Sequence, residues 1–298
     1  MERRILTLTH LLPVHAVYHS VSNTFSLEPR KGHSALYAAI ASTPGVIHVG
    51  SIEPPVYAHT QQPVPNFDQT LKEDLNALLW KHGYIPVWLE NDVFQGHYQG
   101  FCKKNLWPLL HYLLWEKATN GVQELEDWNM YCKVNERFVQ ETVRVYRHGD
   151  RVWIHDYHLC LAPLMIRQLV DNVPVGFFLH SPFPSSEVFR CLPKRKEILQ
   201  GMLGANLIGF QTYSYARHFV SSCTRVLGLE STTTGVEYMG HAVTVATFPI
   251  GIDVDCTDRL NKSDDIRSRI PQLKEMYDGK RIIVGRDHLD KVKGVVHK

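Results

Sequence analysis

The sequence predicts an α/β protein whose parallel sheet is covered by helices. Three observations carry this expectation. Short β-prone apolar runs alternate with helix-length segments along the 298 residues, as in repeated strand–helix–strand units. Glycines close several of the helical segments, at Gly83, Gly204 and Gly228. Two apolar runs, ending at Ile154 and Leu179, break abruptly into polar segments that carry histidines. Such strand ends are where open α/β sheets hold ligands.

The elements follow in order. Residues 5–9 read as an opening strand, with a loop around Pro13. Residues 34–41 are helix-prone and 46–49 read as a strand. Residues 54–68, rich in Pro, Gln and Asn, read as an irregular excursion. An amphipathic helix is expected over 71–82 and a strand over 85–89. Residues 106–115 are apolar and aromatic, and 136–146 predict a helix that ends at His148-Gly149-Asp150. Strands over 152–154 and 175–179 follow, then a helix over 194–203. Leu207–Phe210 reads as a strand, 213–227 as a helix, and 238–248 as a hairpin turning near Gly240. Composition shifts after Gly251-Ile252-Asp253. Residues 257–280 are charged and helical at most, and 281–285 read as a fresh apolar strand. The chain therefore divides into a domain over 1–250 and, over 251–298, a linker with the first strand of an incomplete second domain.

Composition narrows the function classes. A hydrophobic fraction of 44% supports a sizeable core, and a net charge of +2 gives no electrostatic argument for nucleic acid or an acidic membrane. Six cysteines without a Cys-x-x-Cys suit reduced thiols, and the 17 histidines form no zinc-like frame with them. Nothing reads as a signal peptide, and no apolar run reaches the roughly 20 residues that span a bilayer. The expectation is a soluble, cytoplasmic protein.

Several segments carry chemistry, each with a plainer reading beside it. In His155-Asp156-Tyr157-His158, Asp156 could orient a sugar hydroxyl or an imidazole, or simply cap the following helix. His180 precedes Ser181-Pro182-Phe183-Pro184, whose prolines stiffen the loop and suit a preorganised imidazole. Otherwise it satisfies backbone groups. Ser185-Ser186-Glu187 resembles a helix start. Between Tyr98 and Tyr112, aromatics including Trp107 could stack on sugars, although such spacing more often marks a core. Asp253-Val-Asp255-Cys-Thr257 matches a phosphatase pattern, but Pro249 and Gly251 interrupt the strand that chemistry needs. It reads as a chance match in a linker. Lys293 and Gly294 could hold a phosphate.

Together these segments resemble the trehalose-6-phosphate synthases, glycosyltransferase family 20. The match is most specific over 151–229, through residues 152–158, 180–190 and 204–219 in order, and extends to 248–253 and 289–294. The resemblance implies a GT-B fold of two Rossmann-like domains, the first complete here and the second a truncated start. It implies glucose transfer from UDP-glucose to glucose 6-phosphate with retention of configuration and without metal or other cofactor. By the same resemblance Tyr98 and Trp107 contact the acceptor, Asp156 binds sugar near the reacting centre, and His180 contacts the donor glucose. Lys293 would neutralise the departing diphosphate, and His288 stands at a substrate-binding position.

Three departures from the family pattern matter. Thr9-His10-Leu11-Leu12-Pro13 puts Leu11 where an arginine meets phosphate. Ser34-Ala35 replaces a glycine pair that lets backbone approach the donor. His288 replaces an arginine, whose charged fork a neutral imidazole cannot reproduce. These changes make the chain more similar to the regulatory, non-catalytic subunits of fungal trehalose synthase complexes, with the other subunits as partners and no synthase activity of its own. An active synthase fragment and the N-terminal half of a bifunctional trehalose-6-phosphate phosphatase are the alternatives.

Overall fold

The alternating runs fold into an eight-stranded sheet in the computed structural model, which describes residues 4–30, 43, 45–65, 67–113, 121–232, 234–287, 289 and 291–297. The strands are β1 (Ile5–Leu11), β2 (Val14–His19), β3 (Thr24–Pro29), β4 (Val46–Ser51), β5 (Val56–Tyr57) and β6 (Tyr84–Val87). They continue as β7 (Arg151–His155), β8 (Val175–Leu179), β9 (Leu207–Phe210), β10 (Gly235–Tyr238) and β11 (His241–Thr247). The main sheet has the order β10-β11-β9-β8-β7-β1-β4-β6 and is parallel except for β10 against β11. From β1 the chain builds outward through β4 and β6. It then crosses back to β7 and builds the other way. The gap between the ends of β1 and β7 is thus a topological switch point, where neighbouring connections diverge and leave a crevice.

Helices α1 (Gln69–Lys81) and α2 (Asn91–Gln95) come first, and α2 runs on as a π-helical stretch over Gly96–Leu106 into α3 (Trp107–Leu110). Then follow α4 (Gly121–Val145), α5 (Ala162–Leu169), α6 (Ser186–Phe189), α7 (Arg195–Met202) and α8 (Tyr213–Ser222). The last two are α9 (Val254–Asn261) and α10 (Asp264–Met276). The α1 helix starts where the Asp68 carboxylate accepts the Leu71 N–H at 2.9 Å, a side-chain cap. It buries Leu75 and Leu79, one turn apart, in a small core with Leu12, Val14, Ala16 and Ile52. The main core lies between the sheet and α4, which turns Trp128, Tyr131, Phe138 and Val139 inward. Hairpin β10–β11 turns at Met239 and Gly240, both at positive φ, as a two-residue turn matched to strand twist requires.

The structure departs from the sequence expectations in three places. Residues after Pro13 form the antiparallel pair β2–β3, which lies with β5 in a separate small sheet. The helix expected over 136–146 begins at Gly121, because its first turns carry the polar residues of an exposed face. Residues 281–285, expected to be a strand, form none: Ile282, Ile283 and Val284 are exposed and no strand lies alongside to pair with them among the described residues. The expected helix over 34–41 lies outside the described residues. The segment over 257–280, expected to be helical at most, carries the end of α9 and all of α10, and neither helix buries a residue.

Two buried polar clamps set the strand ends. Asn135 of α4 donates to the Tyr131 and His158 carbonyls and accepts from the Leu161 and Ala162 N–H groups. Tyr131 donates its hydroxyl to the Tyr157 carbonyl at 2.7 Å and accepts the Cys160 N–H at 3.0 Å. Asn135→Leu keeps the volume but strands these groups in the core. It should lower unfolding free energy by about 3 kcal/mol, read from urea denaturation. At the other end of the strands, Arg4 forks onto Asp150 at 3.1 and 2.5 Å. Burial pushes the Asp150 carboxyl up, but Arg4 and the Arg147 N–H outweigh it and hold the group below its ordinary value. A depressed folded-state pKa stabilises above the unfolded value near 4 and is lost as pH falls through the folded one. Arg4→Met should therefore cost about 2 kcal/mol at neutral pH, and the difference from the parent chain should shrink on acidification below about pH 4.

Candidate functional site

Three parallel strands deliver polar side chains to the crevice, and the π-helical stretch closes it from the side. The end of β1 is irregular: Thr9 pairs with Gly50 and Leu11 with Ser51, so His10 is an extra residue in a β-bulge. Thr9 Oγ1 donates to the Leu11 carbonyl at 2.7 Å, and Ser51 Oγ donates to the His10 carbonyl. Gly50 lies opposite, where an added Cβ would fall 2.8 Å from the Leu12 backbone nitrogen. Bulges re-aim side chains. This one sends the His10 ring against Tyr98 and His158, stacked at 4.8 and 4.4 Å with interplanar angles of 11° and 7°. Phe94 stacks on His10 at 5.5 Å and His97 tilts against it at 5.3 Å.

Asp156 terminates β7 in an unusual conformation, φ 69° and ψ 172°, a region open essentially to glycine alone. Its side chain makes no helix-cap bond, so the capping alternative is set aside. Instead Oδ1 accepts from both the N–H and the hydroxyl of Ser181, each at 3.2 Å. The Asp156 N–H donates to the Phe178 carbonyl at 2.8 Å. Both loops are therefore tied together across the β7–β8 pair. Beside this tie, His155 Nδ1 and His180 Nε2 share a 3.0 Å hydrogen bond. His155 is buried, and burial first, then the neighbouring His180 and His48, push its pKa well below the ordinary histidine value. His97 is likewise held neutral by burial, at about 4, despite its 3.0 Å bond to the His158 carbonyl.

A third cluster surrounds Trp107. The Lys103 ammonium lies 4.2 Å from its ring centroid and 5.6 Å from that of Tyr98, cation–π distances. Lys293 Nζ lies 5.9 Å from the same Trp107 ring. Burial raises the Tyr98 phenol, with Cys102 and Glu53 adding to the shift. The structure thus brings Tyr98, Trp107 and Lys293 together, and Asp156 with His180. His288, and with it Ser34-Ala35, lies outside the described residues. Sequence reasoning did not single out His10, His97 or Lys103. Lys103 stands four residues before Trp107, a helical spacing that places both on one face. For His10 no sequence signal existed, since a bulge leaves no pattern of its own.

Other features carry less chemistry. An apolar groove of about 520 Å³ runs along Trp153, Gly176, Phe178, Leu207, Gly209 and Phe248, without convergent polar groups. Among the described residues no three His, Cys, Asp or Glu side chains are placed to hold a metal, and no helix is long and apolar enough to cross a membrane. All six cysteines are free thiols. Asp253 accepts the Cys256 N–H at 2.8 Å as the cap of α9, so the first aspartate of the phosphatase-like pattern serves a helix end.

The model of glycosyltransferase family 20 matches residues 4–298. The chain belongs to this family. It is 46% identical over 237 residues to the 56 kDa subunit of the UDP-forming α,α-trehalose-phosphate synthase of Saccharomyces cerevisiae, covering 78% of this chain and 46% of that protein. A Dictyostelium discoideum synthase is 44% identical over 230 residues, which cover 76% of this chain and 31% of the relative. The chain thus spans half or less of the length of these curated relatives. Among solved structures, the N-terminal domain of a Candida albicans trehalose-6-phosphate phosphatase superposes with TM-score 0.79 at 35% identity, covering 98% of this chain and 58% of that one. A Burkholderia xenovorans synthase superposes at 0.69 and 24% identity, covering 97% and 57%, a likeness of fold alone. The fold is accordingly α/β of the GT-B type, as the resemblance implied.

In this family-20 chain the strained Asp156 offers a direct test. Asp156→Gly and Asp156→Ala both lose the Ser181 contacts, but only glycine relieves the backbone. Glycine should be more stable than alanine by about 1–3 kcal/mol in urea denaturation, the reverse of the usual order.

Proposed function

We propose that this chain serves trehalose biosynthesis as a family-20 domain with a degenerate active site, the regulatory member of a synthase complex. The observation that carries the reading is the His10 stack. Tyr98, assigned to the acceptor by resemblance, is covered by the His10 ring at 4.8 Å. The next residue, Leu11, takes the place of the phosphate-binding arginine. The crevice therefore holds stacked aromatic rings where an anionic sugar phosphate would need room, and the arginine position supplies no charge. Each charge-assisted arginine–phosphate bond is worth roughly 1.5–3 kcal/mol, so its loss costs about 10- to 100-fold in affinity.

The opposite wall supports sugar binding. Asp156 and the His155–His180 pair present hydrogen-bonding groups at adjoining strand ends, with Trp107 and its lysines alongside. In this reading Asp156 holds a sugar hydroxyl near the reacting centre and His180 meets the donor glucose. Lys293 faces the diphosphate of UDP-glucose, and the resemblance gives His288 a substrate-binding position in the same sequence segment. Trp107 and Tyr98 line the acceptor side toward glucose 6-phosphate. Residues 1–250 form the acceptor-side domain and 251–298 lead toward a donor-side domain. No metal or other cofactor enters this reading, and its setting is the cytoplasm with the other complex subunits as partners.

A second reading, a domain preceding a trehalose-6-phosphate phosphatase, is favoured by the 0.79 superposition on the Candida albicans N-terminal domain. Both readings share a silent transferase site, which separates them from an active synthase fragment. The purified chain should form no trehalose 6-phosphate from UDP-glucose and glucose 6-phosphate; robust formation would overturn the proposal. Calorimetry should detect no millimolar binding of glucose 6-phosphate to the parent chain. The double variant His10→Asn, Leu11→Arg should gain at least about 10-fold.

A further inference from the structure

We infer that His155 is a positioning residue that fixes the tautomer of His180, so that His180 presents a proton on Nδ1 and donates to ligand oxygens. This rests on the reading above only in naming the ligand as a sugar. The 3.0 Å contact between His155 Nδ1 and His180 Nε2 needs one proton between the two nitrogens. If His180 supplied it from Nε2, His155 Nδ1 would be the acceptor, and the neutral His155 ring would carry its proton on Nε2. That Nε2 is buried and meets no hydrogen-bond partner among the described residues. An orphaned buried N–H is among the rarest features of folded proteins, whereas an unused lone pair is better tolerated. With His155 donating from Nδ1, the atom left alone is a lone pair. His180 then accepts at Nε2 and carries its own proton on Nδ1.

The neighbouring His97 follows the same rule. Its Nε2 faces the His158 carbonyl at 3.0 Å, which can only accept, so Nε2 carries the proton. The Nδ1 left buried without a partner among the described residues is again a lone pair. Two buried imidazoles in one site thus orphan the cheaper atom. The Trp153 ring, 4.5 Å from His155, and the Phe178 ring, 4.6 Å from His180, wall the pair and restrict ring flips. His155 itself touches no ligand in this arrangement. Its part is to make His180 a donor, matched to a sugar hydroxyl oxygen rather than to a hydroxyl proton.

The test is the ring-nitrogen spectrum of the full chain, labelled with ¹⁵N-histidine and recorded near neutral pH without ligand. Long-range ¹H–¹⁵N correlations distinguish the two neutral tautomers, and His180→Gln assigns the signal by deleting it. The parent chain should show His180 protonated on Nδ1. His155→Leu should move it toward the Nε2-protonated form that imidazole favours in water. His155→Asn, whose amide N–H can donate from nearly the Nδ1 position, should restore the parent pattern. A parent His180 protonated on Nε2, or one that His155→Leu leaves unchanged, would overturn the inference. Should His155→Leu fail to fold, the parent spectrum and the Asn variant decide alone. Because no ligand is present, this outcome is independent of whether glucose 6-phosphate or UDP-glucose binds.

Discussion

The strand-end site depends on a buried polar clamp that touches no candidate ligand. Tyr131 and Asn135, four residues apart on α4, hold the backbone of residues 157–162 through five hydrogen bonds to otherwise orphaned groups, including the carbonyls of Tyr157 and His158. That segment leaves the sheet at Asp156 and would be costly to bury without partners. With the clamp in place, the loop has one conformation, and Asp156 is driven into a backbone region that an aspartate does not choose freely. The Ser181 contacts then use the resulting direction of its carboxylate to bind the neighbouring loop. Strain at Asp156, cross-loop bonding and the His155–His180 contact are consequences of one anchoring event on a helix.

On the other side of the crevice the controlling feature is one extra residue. The bulge at His10 is stabilised locally by Thr9, Ser51 and the absence of a side chain at Gly50. It converts a strand position into a plug that stacks on Tyr98 and His158. Stacked rings bury well together, so the plugged crevice is a favourable packing arrangement in its own right. The bulge therefore links a backbone irregularity to the packing of the crevice wall.

Much of the scaffold was legible because its signals are local. The apolar runs of β7 and β8 and the Gly83 and Gly228 stops each follow from residue type and spacing, and the structure places them as read. The pair β2–β3 was missed because His15, His19 and Ser26 interleave with modest apolar residues, a weak period-two pattern. Residues 281–285 misled in the opposite direction. Their β-branched run has strand propensity, yet a strand exists only against a neighbour. At the site, the residue types were visible but their relations were not. Nothing local says that His155 reaches His180 across 25 positions, that His10 leaves its strand, or that Lys103 shares the Trp107 ring with Lys293.

These relations also explain why the motifs are better evidence for family than for activity. Asp156, Ser181, His155 and His180 bond to one another, and His158 receives Asn135 and His97 through its carbonyl. Changing any of them would disturb the ends of β7 and β8 whether or not a sugar ever bound there. The motif residues thus have structural work that a silent member needs as much as an active one. The positions free of such work lie elsewhere, in side chains whose main consequence is the charge and room they give a ligand. A loop held by its own hydrogen bonds reports the fold; the cation that nothing in the fold requires reports the chemistry.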